Sequence, residues 1–316
     1  MKKIVLKIVM TLFLINPLRS SATDFLFVSN FGNNSISKFD LDGNYISSIT
    51  TNLYQPEGLA INSSGYLYAA NFRIGSLGGR AVSKFNQNGQ FDSYIFSNAN
   101  LNLPSGLAFD STGNLYVANS NDNTVSKFDA AGNFLSKITT NLNSPTGLAF
   151  DLTGNLLVSN VVQINGSFKI SKFDNNGNFL TYYTANLNYP AGIATDNSGN
   201  IYVANAGNNT ISRLDANGNL VSTINSDLNN PWGLTLDSSG NIYTVNTGNG
   251  TISKFSPAGT FIKSVSTNLN GPQFVVVGVP EPSTMILGFI VFITLLLKFY
   301  GSKQNKRLIL LSSGVH

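Results

Sequence analysis

Acid–base catalysis needs a group that can take up and release a proton near neutral pH, and this chain offers few. The only histidine is His316, the last residue, and cysteine is absent. The many serines therefore lack an imidazole to activate them, and no thiolate can hold a metal. Fifteen carboxylates remain. Eight of these (Asp40, Asp110, Asp129, Asp151, Asp174, Asp196, Asp215 and Asp237) open segments of the form D-x-x-G. Asp suits the first position of a type I turn and Gly closes the hairpin, so these acids read as structural. The others, Asp24, Asp42, Asp92, Asp122, Asp227, Glu57 and Glu281, stand singly, and no two are spaced as an acid/base dyad. These residue types argue against an enzyme and imply no cofactor.

The recurring turns belong to a longer repeat. PSGLAFDSTGNLYVAN at Pro104–Asn119 returns at Pro145–Asn160, Pro190–Asn205 and Pro231–Asn246, with a looser copy from Pro56 and a worn one, PQFVVVG, from Pro272. The prolines are 48, 41, 45, 41 and 41 residues apart. Each period holds two strands around one turn (GLAFD, NLYVAN) and two more around another (TVSKFD at Thr124–Asp129, NFLSKI at Asn133–Ile138). Four short antiparallel strands in about forty residues is the size of a propeller blade.

The chain enters this pattern out of phase. FLFVSN (Phe25–Asn30) matches a second strand, SISKFD and NYISSI a third and fourth, and the final PQFVVVG only a first strand. Five whole blades and one composite blade make six. Gln273–Val277 beside Phe25–Ser29 would close the ring and remove two open sheet edges. The predicted fold is an all-β, six-bladed β-propeller of four-stranded antiparallel blades, spanning residues 23–278. Small residues such as Gly106 and Ala108 suit the narrow axis, and Phe85, Phe128, Phe173 and Phe255 the wider part of each wedge.

Chain direction divides the two faces. Turns between first and second and between third and fourth strands share one face, which carries only the uniform D/N/S-x-x-G turns. The other face holds the inserts Phe72–Arg80 and Val161–Ser167 and the residues between Pro and Gly: Glu57, Ser105, Thr146, Ala191, Trp232 and Gln273. Regular scaffold on one side and variation on the other marks a binding surface. Trp232, the only tryptophan, is the expected centre, with Glu57, Tyr54, Tyr189, Arg73 and Arg80 around it. Aromatic rings beside polar groups suit a glycan, a peptide or another protein. The alternative is that Tyr and Trp merely cover the ends of the core. The six Asn closing the second strands read as loop caps, and Lys38, Lys84, Lys127, Lys172, Arg213 and Lys254 as stems packed on neighbouring strands.

Charge separates the ends from the body. The net +4 comes from the termini: residues 23–281 hold 11 basic and all 15 acidic side chains. A mildly acidic body argues against nucleic acid. Residues 1–22 have a basic start, a short apolar run and small residues at Ser20-Ser21-Ala22, as in a secretory signal peptide; the alternative is a retained anchor. Residues 279–284 contain Pro280-Glu281-Pro282, residues 285–300 form an apolar transmembrane segment, residues 298–307 are basic, and 308–316 form a tail.

Two resemblances follow from these residues. P-x-G-L-A-x-D-x-x-G-N-L-Y-V-A-N followed by I-S-K-F-D resembles NHL-type repeats and the related propellers of streptogramin lyases and gluconolactonases. The lyases and lactonases of that group imply a rival reading as a hydrolase or lyase, but they use His or clustered carboxylates near the axis, and neither is found here. NHL-type repeats also often carry Asp where this chain has Asn30, Asn71, Asn119, Asn160, Asn205 and Asn246. The C-terminal triplet, span and basic end resemble the PEP-CTERM sorting signal. That resemblance implies export to the cell envelope or extracellular matrix, membrane tethering, an exosortase-type processing partner and an exopolysaccharide or envelope-protein ligand. A plain C-terminal anchor is the alternative.

Overall fold

The computed structural model describes residues 24–72, 81–96 and 100–278. The expected signal peptide (residues 1–22), Arg73, Arg80, the expected sorting motif at Pro280, Glu281 and Pro282, and the apolar C-terminal segment lie outside the described residues.

Six four-stranded antiparallel sheets form, one for each repeat. Blade 2 runs Pro56–Phe96, blade 3 Pro104–Ile138, blade 4 Pro145–Tyr183, blade 5 Pro190–Ile224 and blade 6 Pro231–Val265. Blade 1 is composite: Pro272–Gly278 is its first strand, and Phe25–Asn30, Ser35–Asp40 and Tyr45–Ile49 complete it. The closing register pairs Phe25 with Gly278, Leu26 with Val277 and Val28 with Val275. The phase offset of the sequence is therefore the closure of the ring.

Each turn folds by local chemistry. In blade 3, Asp110 Oδ1 accepts the N–H groups of Thr112 and Asn114 at 3.0 and 2.9 Å. Asp110 Oδ2 accepts Asn114 Nδ2 at 2.8 Å, and Gly113 adopts φ +87° to close the turn. The same pattern recurs at Asp40, Asp129, Asp151, Asp174, Asp196, Asp215 and Asp237. At Asp129 the bonds from the Asn133 side chain and backbone hold the carboxyl below its usual range. At Asp151 burial acts the other way, but the bonds from Lys172, Thr153 and Asn155 outweigh it and the carboxyl is held far below that range.

The core lies between blades. Phe39, Phe85, Phe128, Phe173 and Phe255 on the third strands are fully buried, and each meets an aromatic ring of its fourth strand edge-on at 5.9–6.0 Å. Six apolar clusters result, one for each pair of adjacent blades. Near the axis the wedge leaves no room for a side chain: a Cβ on Gly106 would lie 2.0 Å from the Thr146 carbonyl oxygen.

Candidate functional site

The faces divide as chain direction dictates, and the Pro-x-Gly rim is shaped by two repeated irregularities. Each first strand bulges at x-Gly. Pro56 pairs with Asn71 and Leu59 with Ala69, so Glu57 and Gly58 oppose the single residue Ala70. The same shift occurs in the other five blades. A bulge of this kind re-aims the extra residue and bends the strand, and it does so here at Glu57, Ser105, Thr146, Ala191, Trp232 and Gln273. The residue before each Pro is left-handed: Gln55, Leu103, Ser144, Tyr189, Asn230 and Gly271 have φ between 48° and 56°. Five of these are not glycine, so the surroundings must hold them there. Asn34 Oδ1, Asn123 Oδ1 and Asn209 Oδ1 accept the N–H groups of Gln55, Ser144 and Asn230 at 2.6–2.7 Å, each tying one blade to the next.

Beneath the rim lies a sixfold polar relay. Asn30, Asn71, Asn119, Asn160, Asn205 and Asn246 are fully buried. Each Oδ1 accepts a backbone N–H of the incoming link, from Asn270, Tyr54, Asn102, Asn143, Asn188 and Asn229, at 2.8–3.1 Å. Each Nδ2 donates to a third-strand serine, Ser37, Ser83, Ser126, Ser171, Ser212 or Ser253, at 2.7–3.0 Å. Those serines donate onward to link carbonyls at 2.5–2.8 Å. The buried Asn are thus caps of the links, as their position in the sequence suggests, and their side chains are fully engaged.

Above this relay, Trp232 and Tyr189 come together with ring centroids 6.2 Å apart. Phe168, just after the second insert, extends the cluster, 6.1 Å from Tyr189. The insert itself lengthens the second and third strands of blade 4 into a hairpin closed at Asn165-Gly166. Tyr189 is 40% exposed; Trp232 is half-buried, and its Nε1 is buried with no hydrogen-bond partner. A second pair, Phe31 and Phe72, stands 5.8 Å apart on blades 1 and 2. Tyr54 is also exposed, but it belongs to the link into blade 2, away from the blade 4–6 cluster. Glu57 lies on blade 2 as well. Burial pushes its carboxyl up to about 7, against the hydrogen bond of the Ser105 side chain. Gln55 Oε1 is buried without a partner two residues earlier. Neither Phe168 nor Gln55 was singled out by sequence reasoning. Adjacency to an insert and to a blade-opening Pro were the available signals.

The axis itself is apolar. A cavity of about 240 Å³ runs between the first strands, and Thr235 is the one polar side chain along it, the rest being Gly, Ala, Leu, Ile, Val and Phe274. Among the described residues no three His, Cys, Asp or Glu are grouped to hold a metal. The third-strand lysines pack as stems with paired heads. Lys172 Nζ lies 2.8 Å from Asp151, Lys84 Nζ 3.1 Å from Asp92, and Lys127 Nζ 3.5 Å from Asp110, over the Tyr116 ring.

Comparison with known proteins agrees with this geometry. The NHL repeat model matches residues 101–128, 187–214 and 228–255, so the chain carries NHL repeats. No protein of curated function matches it in sequence. Among solved structures, a chain of a nidogen/laminin complex is 16% identical with a TM-score of 0.69, over 82% of this chain and 100% of that one. A gluconolactonase from Xanthomonas campestris is 19% identical with a TM-score of 0.60, over 70% and 79%. Virginiamycin B lyase from Staphylococcus aureus is 15% identical with a TM-score of 0.54, over 79% and 78%. At these identities the likeness is one of fold, and the fold hosts both binding proteins and enzymes.

Proposed function

We propose that this NHL-repeat propeller is a non-catalytic binding module. It works outside the cytoplasm and is delivered by its PEP-CTERM-like signal to the envelope or matrix, where it holds a glycan, peptide or protein. The observation that carries the reading is the Phe168–Tyr189–Trp232 cluster on the irregular rim. It combines the rigid, half-buried indole with the exposed Tyr189 ring at its edge, which is how an interface anchor is built. The first described strand of the ring begins, and the last ends, on the opposite face, where Phe25 pairs with Gly278. Neither end of the described ring therefore lies on the rim.

The test is a glycan and protein array probed with the full chain, followed by Trp232→Ala. Loss of an anchor of this kind costs about 2 kcal/mol or more, roughly thirtyfold in affinity. An unchanged affinity for the captured ligand would remove Trp232 from the site. Replacing Glu281 or Pro282 should leave unprocessed protein in the membrane; release like that of the wild type would favour a plain anchor.

One observation favours the rival hydrolase or lyase reading. A Glu57 carboxyl raised to about 7 is poised for proton transfer. Turnover of a lactone or cyclic peptide that is abolished by Glu57→Gln would establish that reading over ours.

A further inference from the structure

The regular face is not featureless. Between the first turns of blades 5 and 6 lies a cavity of about 600 Å³, a volume typical of small-ligand sites. Arg213 lines it, the one arginine among the six third-strand cations. Three of the five lysines at this position are ion-paired, Lys38 sits over Phe25, and Lys254 donates to the Leu41 carbonyl at 3.0 Å. Arg213 rests over the Tyr202 ring at 5.7 Å, as Lys127 and Lys254 do over Tyr116 and Tyr243, but it makes no ion pair among the described residues, and its Nε is buried without a partner.

Asp196, the turn carboxylate of the same blade, is engaged by its turn as Asp151 is, but it adds Tyr202 Oη where Asp151 adds Lys172. Asp196 accepts the backbone N–H groups of Ser198 and Asn200 at 2.8 and 2.9 Å, Asn200 Nδ2 at 2.7 Å and Tyr202 Oη at 3.1 Å. Asp237 on the facing turn is filled in the same way, by Ser239, Asn241 and Tyr243. Among the described residues Asp24 takes one bond, from Ser238 Oγ at 3.3 Å. The exposed Ser198 and Asn197 complete the polar wall.

This chemistry selects its ligand. Three carboxylates line the cavity with Arg213 and repel a phosphate, sulfate or uronate. The guanidinium in turn repels a metal ion, and most carboxylate oxygens are already bonded. What remains is a guanidinium without an ion pair among the described residues, a carboxylate with one bond from a described residue, and hydroxyl and amide groups close together. Such a set is met by a molecule that offers acceptors and donors side by side and bears no net charge. We propose that this cavity is a second binding site, for a neutral, hydroxyl-rich ligand of one or two sugar rings.

The test uses the full chain in detergent, titrated calorimetrically with maltose, cellobiose and lactose, and in parallel with glucuronate, sulfate and calcium. At least one neutral disaccharide should bind. Arg213→Lys keeps the charge over Tyr202 and restores the residue type of the other blades, but it removes the planar guanidinium fork; it should weaken that binding at least tenfold with the melting temperature unchanged. Trp232→Ala should leave it within twofold, which separates this site from the rim. The proposal is overturned if no neutral disaccharide binds, if Arg213→Lys binds as well as the wild type, or if glucuronate, sulfate or calcium binds more tightly than every neutral sugar.

Discussion

Asn119→Ala should cost far more stability than any exposed polar truncation. Asn119 is fully buried, and four hydrogen bonds meet on its side chain. Oδ1 accepts the Asn102 N–H at 3.0 Å; Nδ2 donates to Ser126 Oγ at 2.9 Å, Thr124 Oγ1 at 3.1 Å and the Asn100 carbonyl at 3.3 Å. Truncation leaves the Asn102 N–H without its acceptor, a loss of about 1–3 kcal/mol. The donor side loses one good bond and two longer ones, which adds roughly 1–2 kcal/mol at a net ~0.5–1.5 kcal/mol per good bond. The expected total is about 2–5 kcal/mol, a large share of the ~5–15 kcal/mol that holds a typical domain together. Urea unfolding followed by the fluorescence of Trp232 and by circular dichroism measures it. Ser126→Ala alone should cost less, because Asn119 keeps its acceptor role. The two substitutions together should cost less than the sum of each, since they remove one shared bond. A loss below ~1 kcal/mol for Asn119→Ala, or strict additivity with Ser126→Ala, would refute the relay as a source of stability.

The pH dependence should have two opposed components. The turn carboxylates Asp40, Asp110, Asp129, Asp151, Asp174, Asp196 and Asp215 are held below their usual range, so their stabilisation is present above about pH 4 and is lost as pH falls through their folded values. Glu57 acts in reverse: between its ordinary value and about 7 the folded chain keeps a proton that the unfolded chain has released, so stability declines as pH rises through that window. Thermal melts against pH should show this decline flattened in Glu57→Gln, and an unchanged profile would mean that the carboxyl titrates normally. Gly106→Ala should cost ~3 kcal/mol or more or prevent folding, because its Cβ would stand 2.0 Å from the Thr146 carbonyl oxygen. Gly113→Ala meets open space and suffers only from its φ of +87°, costing about 1–2 kcal/mol. Equal losses from the two glycine substitutions, read as shifts in melting temperature, would contradict the wedge-apex account.

Blade number, ring closure and the division into two faces were legible from one dimension of information. A period near forty fixes strand count per blade. D-x-x-G turns fix where each hairpin reverses. The missing first strand before Phe25 and the surplus one after Pro272 fix how the ring shuts. These features are local or strictly repeated, and a repeat copies its local solution. What differs between blades depends on which side chains face one another across them, and no period encodes that. Phe168, Tyr189 and Trp232 come from three successive blades and meet because bulges and left-handed links aim them at a common spot. Tyr54 carries the same chemistry near the same kind of proline, yet it belongs to another sector of the rim. The upward shift of Glu57 and the unpaired Arg213 Nε likewise arise from desolvation and from partners already engaged elsewhere. The scaffold is readable from local pattern, because backbone hydrogen bonding and turn chemistry are settled within a few residues. Where polar groups are left wanting a partner is set by the closed ring, because burial and the competition for hydrogen bonds exist only once the blades meet.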